Sequence, residues 1–205
     1  MNASLASKVT SSRALAIIGL FSALYIVSSG IVSFITQVGY PEHFLRGILM
    51  TAVVLQTRRK WSATMMGAVC GIVFLFAVPS PAPYLLFSTF VSGLIFDLIL
   101  MIGSYANSIR SVARVLVGVA VSGVAESVVA LTILTSLAAA KVFGTSSFSG
   151  LSVAWSIDIV LNIVLSVIGA LLAIKFFSKK SPTAPNLQTH EKSELGNRSG
   201  DEKKD

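Results

Sequence analysis

The sequence predicts an all-α integral membrane protein: a bundle of six transmembrane helices with both the N and C termini in the cytoplasm. Hydrophobic residues make up 54% of the 205 residues and charged residues only 12%, which is more apolar than a soluble domain of this length requires. Six apolar segments alternate with short polar or turn-like stretches. Basic residues concentrate on alternate connections, as in a multi-span topology.

The length leaves room for one compact bundle. A spanning helix takes about 20 residues, so six spans with short loops use most of the chain. The expected organisation is a cytoplasmic N-terminal segment at 1–13, a six-helix transmembrane domain at 14–177 and a cytoplasmic tail at 178–205. The tail combines prolines with mixed charges, a composition typical of disorder.

Turn signals or charges separate the six segments, which are Ala14 to Val38, Phe44 to Thr57, Ser62 to Val78, Tyr84 to Gly103, Val112 to Ala140 and Leu151 to Phe177. The second is the shortest, and a helix of about 14 residues rises only about 21 Å. A tilted or re-entrant helix is therefore an alternative to a full span there. The first follows Lys8 and Arg13 like a signal peptide, but it continues too far for a typical one.

The basic residues indicate the orientation. Only Arg46 and Lys141 fall on the side opposite the N terminus when six spans are drawn. On the N-terminal side lie Lys8, Arg13, Arg58, Arg59, Lys60, Arg110, Arg114, Lys175, Lys179 and Lys180, together with the tail. The excess predicts that this side is cytoplasmic, in the plasma membrane of the cell.

Several functional classes are excluded or disfavoured. The net charge of +7 is explained by membrane topology and not by nucleic-acid binding. Cys70 is the only cysteine and lies in an apolar segment, so neither a disulfide framework nor a zinc cluster is expected. Nucleotide-binding, metalloprotease and serine-hydrolase motifs are absent from the sequence, so we expect no catalytic residue, metal or cofactor.

Ionisable residues inside apolar segments are costly and mark functional candidates. Asp158 lies in the last segment, and helical spacing puts Trp155, Asp158 and Asn162 on one face. An aromatic ring, a carboxylate and an amide could converge there on a ligand. The alternative is an interfacial tryptophan beside polar contacts between helices.

Two other carboxylates lie in predicted spans. Glu126 is near the middle of the fifth segment among small residues, so it should face the bundle interior and could complete the Asp158 site. Asp97 lies near the cytoplasmic end of the fourth segment, where a structural ion pair with Arg110 and Arg114 is expected.

The connections on the outer side carry further candidates. Glu42, His43 and Arg46 follow Tyr40-Pro41, and Tyr84 follows a proline-rich loop. These residues could form the lid of an outward-facing pocket, although ordinary loop chemistry also explains them.

The first segment carries small residues at helical spacing, at Ala16, Gly19 and Ala23. Such a stripe is a contact surface for another helix, either within the molecule or from a partner.

Together these features resemble the substrate-binding S component of an energy-coupling-factor (ECF) vitamin transporter. Members of that family use an A-x-x-x-A-type stripe on helix one to dock a transmembrane coupling subunit, and the positions that match here are Gly19 and Ala23, with Ala16 one turn before. The resemblance implies that a small vitamin-like substrate binds near the outer face. The corresponding regions hold Glu42, His43, Tyr84, Glu126, Trp155, Asp158 and Asn162.

The resemblance also implies that the chain is not an enzyme and that two ATPase subunits power uptake through the coupling subunit. Carboxylates beside Trp155 suit a cationic or aromatic heterocycle, so thiamin or its pyrimidine precursor is the expected substrate. Two alternatives remain: a non-catalytic assembly or partner subunit, and an intramembrane enzyme that pairs Asp97 with Asp158.

Overall fold

In a computed structural model the chain is all-helical over the residues that the structure describes, 3–36, 40–77, 83–139 and 148–177. The helices in these ranges are α1 (Ala3–Thr36), α2 (Tyr40–Thr57), α3 (Ser62–Ala77), α4 (Pro83–Met101), α5 (Tyr105–Ser108), α6 (Val112–Ala139) and α7 (Phe148–Phe177). All except the single-turn α5 match the predicted apolar segments in order. The expected tail at 178–205 lies outside the described residues.

Within the described ranges, three helical stretches are long and apolar enough to cross a membrane: Ser12–Val32, Val112–Ile133 and Ser156–Phe177. Two further apolar stretches, Ser62–Phe76 and Leu86–Met101, are shorter. The outward sides of these helices expose large apolar side chains, including Leu20, Phe34 and Phe76. Such surfaces are suited to lipid and make this a membrane protein.

The second predicted segment begins earlier than expected. Helix α2 starts at Tyr40 and has 18 residues, which rise about 27 Å. Pro41 does not prevent this start, because proline lacks a backbone N–H and the N–H groups of the first turn make no hydrogen bond within the helix. Glu42 and His43 therefore lie in the first turn of α2, not in a loop.

Helices α2 and α7 pack closely because each contributes a glycine to the contact. A Cβ atom at Gly47 would overlap the backbone of Ser166, and one at Gly169 would overlap the carbonyl oxygen of Phe44. Small residues let two backbones approach to this distance in a membrane bundle. The contact brings polar side chains of α2 and α7 within hydrogen-bond reach.

Helices α3 and α4 form a second close pair. A Cβ atom at Gly67 would overlap the carbonyl oxygen of Thr89, and one at Gly93 would overlap that of Ala63. Helix α4 also packs on α6, and α6 packs on α7. The bundle therefore continues from α3 through α4, α6 and α7 to α2.

Helix α1 lies against α2 and α3. Tyr25 meets the ring of Phe74 edge to face, with 5.8 Å between ring centroids. Cys70 is buried here, and its Sγ atom points at the carbonyl oxygen of Ser22. One face of α1 is thus buried against the bundle, and the opposite face is exposed.

We predict that one of two glycine-to-alanine substitutions destabilises the bundle. Gly169→Ala should lower the free energy of unfolding by about 1–3 kcal/mol, because the added methyl group must push α2 and α7 apart. Gly19→Ala is the matched control, since a Cβ atom there meets nothing within 4 Å. Thermal unfolding in detergent should show a lower midpoint for the first variant only; equal midpoints would contradict the close α2–α7 contact.

Candidate functional site

A cluster of polar side chains lies where α2, α6 and α7 meet. Helix α7 presents Asp158, Asn162 and Ser166 at intervals of four residues, so all three lie on one face. The remaining members come from α2 and α6. We call this set the polar cluster: His43, Arg46, Glu126, Ser127, Asp158, Asn162 and Ser166.

The centre of the polar cluster is an ion pair between Arg46 of α2 and Glu126 of α6. The Arg46 side chain is 2% exposed and the Glu126 side chain 12%. An unpaired charge at such a place would cost several kcal/mol, on the order of 3–5 when one partner of a buried pair is removed. The pair therefore ties α2 to α6.

Helix α7 supplies the other partners of Arg46. The Nη2 atom of Arg46 donates to Ser166 Oγ (2.8 Å) and to Asn162 Oδ1. Ser166 Oγ in turn donates to the carbonyl oxygen of His43 (3.0 Å). The guanidinium thus joins three helices at one point.

Asn162 connects the ion pair to the other end of the cluster. Its Nδ2 atom donates to Ser127 Oγ (2.9 Å) and to the carbonyl oxygen of Gly123 (3.2 Å). Ser127 Oγ donates onward to Asp158 Oδ2 (3.2 Å). A continuous chain of hydrogen bonds therefore runs from Arg46 to Asp158.

The end of the cluster that holds Asp158 is open. His43 Nε2 lies 3.2 Å from Asp158 Oδ1, and the exposed fractions of the two side chains are 16% and 36%. Asn162 and Ser166, farther along α7, are fully buried. Side-chain exposure therefore falls steeply from Asp158 toward Ser166 along α7, so Asp158 and His43 are the members of the polar cluster that a ligand can reach.

The structure brings four of the predicted site residues together: His43, Glu126, Asp158 and Asn162. Glu42 precedes His43 in the first turn of α2. Trp155 and Tyr84 belong to α7 and α4, but their side chains lie outside the described part of the chain.

Sequence reasoning missed two members, Ser127 and Ser166, and assigned a third, Arg46, to a polar loop at the outer surface. Arg46 was counted as a charge on the outer connection, whereas it is buried within α2. The signal was present, because Arg46 lies inside the second apolar segment and ionisable residues in such segments mark candidate sites. Ser166 could have been found from its spacing of four residues from Asn162.

The predicted ion pair of Asp97 with Arg110 and Arg114 is wrong. Asp97 Oδ2 accepts hydrogen bonds from the backbone N and the Oγ1 of Thr64, both at 2.8 Å. It thereby caps the first turn of α3, whose N–H groups have no partner within the helix. Arg114 instead donates to the Ile102 carbonyl (3.1 Å) and to Ser108 Oγ (2.8 Å), and Arg110 is exposed.

The small-residue stripe on α1 lies on the exposed face of that helix. Ala16, Gly19 and Ala23 are all exposed, and the space around Gly19 is open. No three His, Cys, Asp or Glu side chains within the described ranges come close enough together to hold a metal ion.

Comparison of the chain with models of protein families, with curated proteins and with solved structures finds no match. Any assignment of function therefore depends on the chain's own residues.

We predict that Arg46 and Glu126 stabilise the bundle as a pair. Arg46→Met or Glu126→Met alone should cost about 3–5 kcal/mol, because each leaves a charge buried without its partner. The double variant should recover most of that loss, since two apolar side chains of similar volume leave no buried charge.

The free energy of unfolding of all three variants can be measured by titration with a denaturing detergent. Lys175→Met, which removes an exposed charge from α7, is the control and should change little. Additive losses in the double variant would contradict the pairing.

Proposed function

We propose that this chain is the substrate-capture subunit of an ECF-type importer, spanning the plasma membrane six times with both termini in the cytoplasm. The long helices α1, α2, α3, α4, α6 and α7 supply six crossings. The basic connection Arg58-Arg59-Lys60 and the α5 region with Arg110 and Arg114 then fall on the same side as the N terminus, which supports a cytoplasmic location for that side.

The observation that carries the proposal is the gradient of exposure along the polar cluster. In this topology Asp158 and His43 lie toward the outer face, where a substrate arrives. Asp158 is 36% exposed, whereas Arg46 beneath it is 2% exposed. A carboxylate that Ser127 holds from below, with an imidazole beside it, can bind a small polar ligand by charge-assisted hydrogen bonds.

The substrate class follows from the charges in the cluster. Glu126 is neutralised by Arg46, so Asp158 is left as the carboxylate that recognises a donor or a cation. A heterocycle with an amino group or a positive charge fits this arrangement, as thiamin or its pyrimidine precursor would. Trp155 and Tyr84 are proposed to add aromatic contacts.

The exposed stripe on α1 supports a partner interaction. Ala16, Gly19 and Ala23 present a helix face with no bulky side chain, and another membrane helix could pack closely on it. We assign this face to the transmembrane coupling subunit, which two ATPase subunits drive. In this proposal the chain binds and delivers its substrate without catalysing a reaction.

A second candidate function is a non-catalytic assembly or partner subunit. The hydrogen bonds of Arg46 to Asn162 and Ser166 favour it, because these side chains hold helices together. The enzyme alternative has less support, since Asp97 bonds to Thr64 and Asp158 to His43 and Ser127, and the two aspartates share no partner.

We predict that Asp158→Ala abolishes ligand binding without unfolding the protein. The purified wild-type protein should carry a small molecule that mass spectrometry detects, and a panel of vitamins should include one that raises the unfolding temperature. A ligand at hundredfold excess over its Kd stabilises the folded state by about 2.7 kcal/mol. Asp158→Ala should lose this ligand-induced stabilisation, because the carboxylate that bonds to the ligand is removed.

Ile157→Ala is the matched control, since Ile157 neighbours Asp158 on α7 but is exposed. It should keep the full ligand-induced shift. An unchanged shift in Asp158→Ala would show that the ligand binds without this carboxylate and would contradict the assigned site. A wild-type protein with neither a copurified molecule nor a stabilising vitamin would support the assembly-subunit function instead.

We predict that Gly19→Trp disrupts docking while substrate binding persists. The indole would occupy the space that an approaching helix needs, so ATPase subunits should no longer copurify from native membranes. Ile168→Trp, on the exposed face of α7, is the control and should retain them. Equal recovery of the ATPase subunits with both variants would rule out this face of α1 as the docking surface.

A further inference from the structure

A cavity of about 460 Å³ lies at the opposite end of the bundle from Asp158. It is enclosed by the last turns of α2 and α7, the first turn of α6, and α5 with the turn that follows it. Its lining residues are Leu55, Arg58, Ala106, Ile109, Arg110, Val112, Val115, Ile174 and Phe177. This volume is within the range of small-molecule sites, roughly 300–1,000 Å³.

Two guanidinium groups contribute to an otherwise apolar lining. Arg58 follows the last residue of α2 with a positive φ of 51°, the conformation that commonly ends a helix. Arg110 is exposed, and its guanidinium has no hydrogen-bond or ion-pair partner among the described residues. The described lining contains no carboxylate. The cavity therefore has a positive electrostatic character.

The rest of the lining is apolar. Ile109, Val115, Ile174 and Phe177 supply hydrocarbon walls. Helix α5 is fixed to the α2–α3 connection because the hydroxyl of Tyr105 donates to the carbonyl oxygen of Arg59 (2.6 Å). Burial raises the pKa of this hydroxyl, so it remains a donor at all physiological pH values. This hydrogen bond therefore fixes the position of α5 at one wall of the cavity.

The location decides the class of ligand. The cavity lies where α2 and α7 end and α6 begins, so its charged groups are at the level of the membrane surface and its apolar walls face the bundle. A soluble anion would use the arginines but leave the apolar walls without a partner. An amphiphile with a phosphate group satisfies both.

We propose that this cavity binds an anionic phospholipid, with the headgroup phosphate between Arg58 and Arg110 and the first methylene groups of its chains against Ile174 and Phe177. Guanidinium groups suit phosphate because they donate in a planar, bidentate geometry. The site is independent of substrate capture, and its test needs no vitamin or coupling subunit.

Native mass spectrometry of the full-length protein in detergent tests the site. Phosphatidylglycerol, added at increasing concentration, should bind as one retained copy, and zwitterionic phosphatidylcholine should bind more weakly. Arg110→Gln should weaken phosphatidylglycerol binding about tenfold, since a hydrogen bond to a charged group is lost. Ala106→Phe should weaken it as well, because the ring fills the cavity without changing the charge.

Lys60→Gln is the matched control, because it removes one positive charge from the same end of the bundle at a residue outside the cavity. It should bind phosphatidylglycerol like the wild type. Equal weakening by Arg110→Gln and Lys60→Gln, or no effect of Ala106→Phe, would overturn the proposal by showing only a general attraction to basic residues. Displacement by glycerol 3-phosphate as effective as by the lipid would overturn it in favour of a soluble anion.

Discussion

A buried arginine constrains the whole arrangement of α2, α6 and α7. Arg46 carries a positive charge at a place that is 2% exposed, and Glu126 of another helix neutralises it. Because an unpaired buried charge is costly, α2 is stable in this position only when α6 and α7 are beside it. The closeness of these helices is therefore an electrostatic requirement as well as a packing preference.

Glycines make that closeness attainable. Gly47 and Gly169 let the backbones of α2 and α7 meet, and Gly123 leaves room on α6 for Arg46 and Asn162, since a Cβ atom there would lie 2.8 Å from Asn162 Oδ1. The charges and the glycines are thus interdependent. Larger residues at these positions would separate the helices and leave the hydrogen bonds of the polar cluster unmade.

The order and type of the helices could be predicted because apolar length and turn residues are local properties. The start of α2 was missed, since Pro41 indicates a turn as readily as a helix start. The shared face of Asp158 and Asn162 also followed from local spacing. The partners of Arg46 and Asp97 could not be predicted from local spacing, because they depend on which helices become neighbours. Asp97 bonds to Thr64, 33 residues away in the chain, across a helix pair whose contact rests on Gly67 and Gly93.

The long sequence separation within the polar cluster has a consequence for biogenesis. Arg46 emerges from the ribosome about 80 residues before Glu126 and about 116 before Asn162. Until α6 and α7 are made, Arg46 has neither Glu126 nor Asn162 as a partner. The polar cluster can therefore form only after the C-terminal half of the chain has supplied Glu126 and Asn162.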